Sequence, residues 1–300
     1  MSFPKIAFIG AGSTVFMKNI VGDVLQWEAL KGAHFSLMDI NEQRLLESEM
    51  VFKKLVSSLE VQATYSLHTD QKEALREANF VVVAFQIGGF EPCTVTDLRF
   101  LKIRVETNHS RHSWYWGNYA RIRTVPHLWK ICEDMLELCP NAIMLQYVNP
   151  MAINTWAIAK KYPEIKQVGL CHSVQHTVNE LASDLKIPVN KIRYLSAGIN
   201  HIAYFLKFEE VLDNGSFKDL YPALKKGYED GIFPRPESMT HARCPNKVRY
   251  EMMKRVGYFA TESSEHFAEY VLGLSKVGEK ILWENLGPPL ENIQKMCGAG

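Results

Sequence analysis

Apolar runs and helix-period stretches alternate through the first half of the chain. Lys5 to Ile9 reads as a short buried strand, Gly10-Ala11-Gly12 as a turn, and Ser13 as the N-cap of a helix running to about Leu30. His34 to Met38 reads as a second strand, closed by Asp39, and Asn41 to Ser58 is helical in character. The run FVVVAF at 80–85 is apolar and β-branched without polar alternation, as expected of a strand covered on both faces. A helix over Pro126 to Leu138, with proline at its start, leads to a strand over Ile143 to Val148 that Asn149-Pro150 stops. A helix over Met151 to Lys161 and a short strand over Gln167 to Leu170 follow, ending at Cys171-His172-Ser173. This alternation predicts an α/β fold with a doubly wound parallel sheet. Beyond about residue 190 the pattern changes: strands over Ile192 to Ala197 and Ile202 to Glu209, a DNGS turn at 213–216, proline-rich loops and a helix over Lys247 to Val256. Residues 1–190 and 191–300 are therefore expected to form two domains, the second of mixed α+β character.

Composition narrows the classes. The chain of 300 residues is 47% hydrophobic and 22% charged, the profile of a globular chain. A formal net charge of +1 gives no electrostatic case for nucleic acid or an acidic membrane surface. No stretch reaches the roughly 18 apolar residues of a membrane span. The start, MSFPKIAFIG, lacks a signal-type apolar region. Six cysteines, at 93, 132, 139, 171, 244 and 297, form no CxxC pair and no dense framework. Reduced thiols and a cytoplasmic setting are expected.

Two places carry candidate chemistry. Gly10-Ala11-Gly12-Ser13-Thr14-Val15 follows a strand and opens a helix. Gly10 permits the tight turn, Gly12 lets backbone approach a pyrophosphate, and the helix start offers N–H groups and a positive dipole end. Val15 stands where the usual fingerprint has a third glycine. Asp39, ending the second strand, can accept from adenosine ribose hydroxyls, which favours NAD over NADP. The same glycine turn also serves α/β proteins that bind no dinucleotide. The second place is Cys171-His172-Ser173, at the end of a parallel strand, with Asn200-His201 inside the apolar stretch AGINHIAY. Thiolate and imidazole are both ligands for a divalent transition metal, but buried cysteine and lone histidine are more often structural. Asn149 can hydrogen-bond a hydroxylated ligand or simply make the turn before Pro150.

The segments FIGAGS, MDI, VVVAFQIGG, YVNPMAINTWA, VGLCHSVQ, AGINH and TESSEHFAEY, occurring in this order, resemble glycoside hydrolase family 4, most closely its melibiase-type α-galactosidases. The resemblance covers residues 3–104 and 123–270. It implies a Rossmann-like sheet followed by a catalytic domain, as in lactate dehydrogenase-like folds, and catalysis with NAD⁺ and Mn²⁺ or another divalent metal. In such enzymes NAD⁺ takes hydride from C3 of the sugar, a tyrosine removes the acidified C2 proton, the glycosidic bond breaks by elimination, water adds, and the hydride returns. The metal binds the C2 and C3 oxygens and stabilises the enolate. Carried onto this chain, Cys171 and His201 match the metal ligands, Asn149 and Asn200 match polar residues at the sugar, His172 matches the acid at the leaving oxygen, and Tyr270 matches the C2 base. The histidine after the metal cysteine points to an unphosphorylated galactoside or uronide, and the surrounding sequence to α-galactosides such as melibiose. The resemblance further implies a homo-oligomer.

The likeness lapses in two segments. ETNHSRHSWYWGNYARI, at 106–122, carries Trp114, Tyr115, Trp116 and Tyr119 beside His112 and Arg121, and reads by itself as a sugar-stacking platform. Family members have a glycine-rich loop there, and a permitted choice of codons for this stretch, read one base later, spells KQTIRDTLGTGGIMRA. After Tyr270, VLGLSKVGEK admits codons that, two bases later, spell PWFIKGRGE, of the kind with which family chains continue. These departures are read as shifted reading frames: a compensated pair at about 105–122 and an uncompensated shift near 271, leaving a truncated second domain. Two alternatives to an active galactosidase follow, an NAD-dependent 2-hydroxyacid dehydrogenase on the same fold and an inactive frame-shifted remnant.

Overall fold

The computed structural model describes residues 3–88, 112–234, 246–264 and 267; of 112–121 and Lys247 it describes only the helical backbone. These residues fall into two compact units, one holding the described residues up to 88 and 114–170, the other His112, Ser113 and those from 171 onward.

The first unit is a parallel sheet of β1 (Lys5–Ile9), β2 (His34–Met38), β3 (Thr64–His68), β4 (Phe80–Val83), β5 (Ile143–Gln146) and β6 (Lys166–Gly169), in the order β3-β2-β1-β4-β5-β6. The reversal between β1 and β4 makes it doubly wound, as the alternation predicts. Strand alternation sorts side chains to two cores. Ile6 and Phe8 face α1 (Thr14–Leu25) and α2 (Glu42–Leu59), packing with Met17, Val21, Leu45 and Phe52. Ala7 and Ile9 face the opposite core, with Leu75 of α3 (Gln71–Leu75), Leu128, Ile131 and Met135 of α4 (His112–Leu138), and Ile158 of α5 (Met151–Lys161). The first helix stops at Leu25, short of the expected Leu30, and a single 3₁₀ turn covers Glu28–Leu30. The backbone of α4 is helical from His112, so Pro126 lies inside it rather than at its start. The stretch expected as a loop or sugar platform is thus helical over 112–122.

The second unit is an antiparallel sheet, β10 (Phe259–Ala260), β8 (Ile202–Val211) and β7 (Ile192–Ile199), with β9 (Phe217–Asp219) pairing β8. Against it pack α6 (Ser173–Leu185), α7 (Tyr221–Glu229) and α8 (Lys247–Val256). Val178 and Leu181 of α6 share a core with Phe205, Phe208, Leu224, Tyr250 and Phe259. The compact units therefore divide at 170/171, ahead of the expected boundary at 190, because α6 buries its apolar face in the second core. Among the described residues, no helix is long and apolar enough to cross a membrane.

Candidate active site

The glycine turn is built at the carboxyl ends of β1 and β2. Gly10 adopts φ +92°, and a Cβ there would meet the Ala84 carbonyl, so only glycine fits without displacing the next strand. The amides of Gly10 and Ala11 both donate to the Met38 carbonyl at 2.9 Å, which ties the turn to β2. Gly12 N donates to Asp39 Oδ2 at 2.8 Å, while Asp39 Oδ1 accepts from Asn41 N at 2.9 Å. From α2, Ser48 donates to the Ala11 carbonyl at 2.7 Å. Thr14 Oγ1 lies 3.4 Å from the Gly12 carbonyl, and Ser13 precedes α1 without capping it through its side chain. Gly10, Gly12, Ser13, Thr14 and Asp39 are thus gathered at the carboxyl ends of two interior strands of the parallel sheet, where a helix start and a carboxylate together suit a dinucleotide. Asn149 is exposed on the loop after β5. Two buried amides hold that loop: Gln146 Nε2 and Asn154 Nδ2 both donate to the Val148 carbonyl, at 2.7 and 2.9 Å.

The second unit holds the cluster of metal-ligand type. Cys171 stands just ahead of α6. His201 is the second residue of the two-residue turn between β7 and β8, which closes on the Ile199–Ile202 pair. Its φ of +64° is uncommon for a side chain of that size. Glu262, buried, follows β10. Cys171 Sγ lies 3.7 Å from His201 Nε2, and that nitrogen lies 3.2 Å from Glu262 Oε2. The three ligand atoms fall within 4.8 Å of one another. Glu262 Oε1 accepts from Ser263 N at 2.9 Å, which leaves Oε2 turned to His201. Thiolate, imidazole and carboxylate together form a donor set suited to a divalent transition metal, so the residues present fit such an ion.

The thiols separate by environment. Burial pushes Cys132 up to about 12 and Cys139 up to about 11. Burial also pushes Cys171 up, but hydrogen bonding with His201 and with Ser173 outweighs it and leaves this thiol below its ordinary value. A cysteine poised toward thiolate beside an imidazole and a carboxylate is what metal capture needs.

The structure thus brings Cys171 and His201 together, 30 residues apart in sequence, and adds Glu262, which sequence reasoning did not single out. The available signal was its place in TESSEHFAEY, among the segments that carry the family resemblance. His172 is exposed beside the cluster, its ring edge-on to His176 with centroids 4.9 Å apart. Asn200 shares the β7–β8 turn with His201. Tyr270 lies outside the described residues.

A doubly wound sheet with a glycine turn, together with a thiolate–imidazole–carboxylate cluster on a second unit, defines an α/β protein of dinucleotide-binding type with a metal-ligand set. Comparison with known proteins sharpens this. The family 4 glycosyl hydrolase sequence model matches residues 5–187, and the model of that family's C-terminal domain matches 196–291. The chain belongs to family 4 of the glycosyl hydrolases. The first model ends at 187 and the second begins at 196 and runs to 291, beyond residue 270, where the quoted sequence motifs end. An alpha-galactosidase of Bacillus subtilis (strain 168) is 38% identical over 294 residues, covering 98% of this chain and 65% of its own length. One of Rhizobium meliloti (strain 1021) is 32% identical over 269 residues, 89% of this chain and 52% of its own. The chain thus spans between about half and two thirds of the length of these relatives. Among solved structures, a 6-phospho-alpha-glucosidase from gut microorganisms, in complex with NAD and Mn²⁺, superposes with a TM-score of 0.69 at 19% identity, over 90% of this chain and 61% of that one. This likeness establishes the shared fold.

Proposed function

We propose that this chain is the sugar-cleaving portion of an NAD⁺- and Mn²⁺-dependent α-galactosidase acting on melibiose-like substrates. The observation that carries the reading is the Cys171–His201–Glu262 cluster in a family 4 chain whose relatives include alpha-galactosidases. When bound, the metal supplies Lewis-acid stabilisation of charge on sugar oxygens, and the dinucleotide supplies a hydride acceptor that is regenerated. The remaining work falls to side chains. Cys171, His201 and Glu262 would hold the ion. Gly10, Gly12, Ser13 and Thr14 would offer backbone and hydroxyl groups to the pyrophosphate, and Asp39 would accept from the ribose and so select NAD over NADP. Asn149 and Asn200 would hydrogen-bond sugar hydroxyls. His172, exposed next to the cluster, would protonate the leaving oxygen, and Tyr270 would remove the C2 proton.

A hydroxyacid dehydrogenase would use a His–carboxylate pair, and His201 and Glu262 form one at 3.2 Å. It would also need an arginine presented to the substrate carboxylate. Arg249 is instead buried and bonded to Glu180, Asn246 and Thr177. The galactosidase reading is tested with p-nitrophenyl α-galactoside under reducing conditions with NAD⁺ and Mn²⁺. Turnover that needs both cofactors supports it; net NADH production from a 2-hydroxyacid supports the dehydrogenase. If the chain is inactive and a version with both reading frames restored is active, the lineage stands and the frame shifts explain the loss. If the restored version cleaves no α-galactoside, the substrate assignment fails. Codons in the coding DNA that do not spell the glycine loop when shifted would remove the frame-shift explanation.

A further inference from the structure

A second polar network, fully buried, is tied to the ligand cluster. Arg249 of α8 is 2% exposed. Its Nη2 pairs with Glu180 Oε2, and its Nε donates to Asn246 Oδ1 at 3.1 Å. Asn246 Nδ2 donates to the same Glu180 oxygen at 3.1 Å. The remaining arm, Nη1, donates to Thr177 Oγ1 at 2.6 Å. Thr177 donates onward to the Thr261 carbonyl at 2.8 Å. Thr261 in turn directs both its amide (2.9 Å) and its hydroxyl (3.2 Å) to the Ala203 carbonyl.

The placement of these bonds matters. Thr261 immediately precedes Glu262, Ala203 lies just beyond His201 on β8, and Thr177 lies on α6, the helix that Cys171 leads into. Thr261 is therefore the point where all three ligand-bearing segments are joined. A threonine hydroxyl has one proton, so accepting from a guanidinium commits that proton to the Thr261 carbonyl. The positive charge behind it strengthens the onward bond. A buried ion pair such as Arg249–Glu180 is poor value as a stabiliser, because packed apolar residues of equal volume do as well or better. Fixing the direction of a relay is something an apolar pair cannot do.

We propose that Arg249 and Thr177 are positioning residues for the metal ligands, acting through Thr261 to set where Glu262 meets His201 and Cys171. The proposal rests on the metal-binding reading above. It is tested on the full chain with Co²⁺ alone as the probe, following the thiolate-to-cobalt charge-transfer band and the visible ligand-field bands. The parent should show both, and Cys171→Ser should lose the charge-transfer band. Thr177→Val, nearly isosteric, should keep that band, alter the ligand-field envelope and weaken Co²⁺ about tenfold, the lower end of the effect of losing an outer support. Thr177→Ser should restore parental affinity and spectrum, which recovery of packing volume alone would not do. Arg249→Met should weaken Co²⁺ at least as much; if it fails to fold, the two threonine variants decide. Parental affinity and spectrum in Thr177→Val would overturn the positioning role while leaving the metal site standing, and equal weakening in Thr177→Ser would overturn it too. A parent chain without the charge-transfer band would overturn the metal reading, and the positioning role with it.

Discussion

Replacing Glu262 by glutamine separates two effects that reside in one carboxylate. The substitution keeps size and hydrogen-bonding shape and removes a charge. In the metal-free protein, burial raises the Cys171 thiol, contacts with His201 and Ser173 lower it, and the field of Glu262 raises it again. Without that field the thiolate should form at lower pH, and thiolate absorbance, differenced against Cys171→Ser, should show the downward movement. The buried thiols do not obscure it, because Cys132 and Cys139 are held at about 12 and about 11. Easier thiolate formation alone would favour metal binding. The lost anionic ligand works the other way and should win. Glu262 Oε2 sits 3.2 Å from His201 Nε2 and within the 4.8 Å ligand cluster, so its removal takes away a direct anionic donor, a larger loss than that of an outer support. Loss of a support alone costs about 10–100-fold in affinity, or about 1.4–2.8 kcal/mol at 1.4 kcal/mol per tenfold. Mn²⁺ and Co²⁺ titrations should therefore show Glu262→Gln weakened at least this much while its thiol titrates lower. Metal affinity within twofold of the parent, or a thiol that moves up, would refute the reasoning.

Three further outcomes are expected. Gly10→Ala, forced to φ +92° against the Ala84 carbonyl, should lose about 1–3 kcal/mol in urea unfolding; parental stability would show that the turn relaxes freely. Asp39→Asn should weaken NAD⁺ by about 1.5–3 kcal/mol, the worth of hydrogen bonds to a charged group, and narrow the preference over NADP⁺; calorimetric titration showing unchanged NAD⁺ binding would remove Asp39 from the ribose. Burial, followed by the charge of Lys5, holds both His34 and His68 below the ordinary 6.5. The native state then resists a proton that the unfolded chain accepts below that value. Their contribution is intact above about pH 6.5 and is lost as pH falls through the folded values, so His34→Gln with His68→Gln should flatten the acid side of the Tm–pH profile; an unchanged slope would contradict this.

The first unit was largely legible in the sequence because its inner strands are unbroken apolar runs and its turns are punctuated by Gly10, Asp39 and Asn149. The edge strand β3, TYSLH, does alternate, with Tyr65 and Leu67 packed against the core and Thr64, Ser66 and His68 in a polar ladder with His34 and Ser36, but two apolar positions are too few to stand out beside the unbroken inner strands. Helix α6 escaped for a different reason. Its period is regular, with Val174, Val178, Leu181 and Leu185 on one side, but it lies wholly ahead of the expected boundary at 190 while its apolar face belongs to the second core. Of the cluster, Cys171 and His201 stood out because thiol and imidazole are scarce and chemically distinctive. Glu262 did not, since a carboxylate in a polar run gives no sign that it will be buried. Arg249 and Thr177 were equally silent, as their meaning lies in bonds to Glu180 and Thr261, respectively 69 and 84 residues distant.

The ligands enter the chain in a fixed order, thiol, imidazole, then carboxylate. The last comes attached to the shortest strand of its sheet, β10, whose two residues pair with Phe205 and Tyr204 of β8. A nascent chain therefore presents a two-pronged grip long before the third prong emerges from the ribosome. An ion caught early would be held loosely and released easily until β10 zips onto β8. With the ion held as proposed, metal and strand would then be each other's latch. The hydrogen-exchange protection of the Thr261 amide, which donates to the Ala203 carbonyl of β8, should rise with occupancy more than that of the β7 and β9 amides, so a folding event would be read through an inorganic ion.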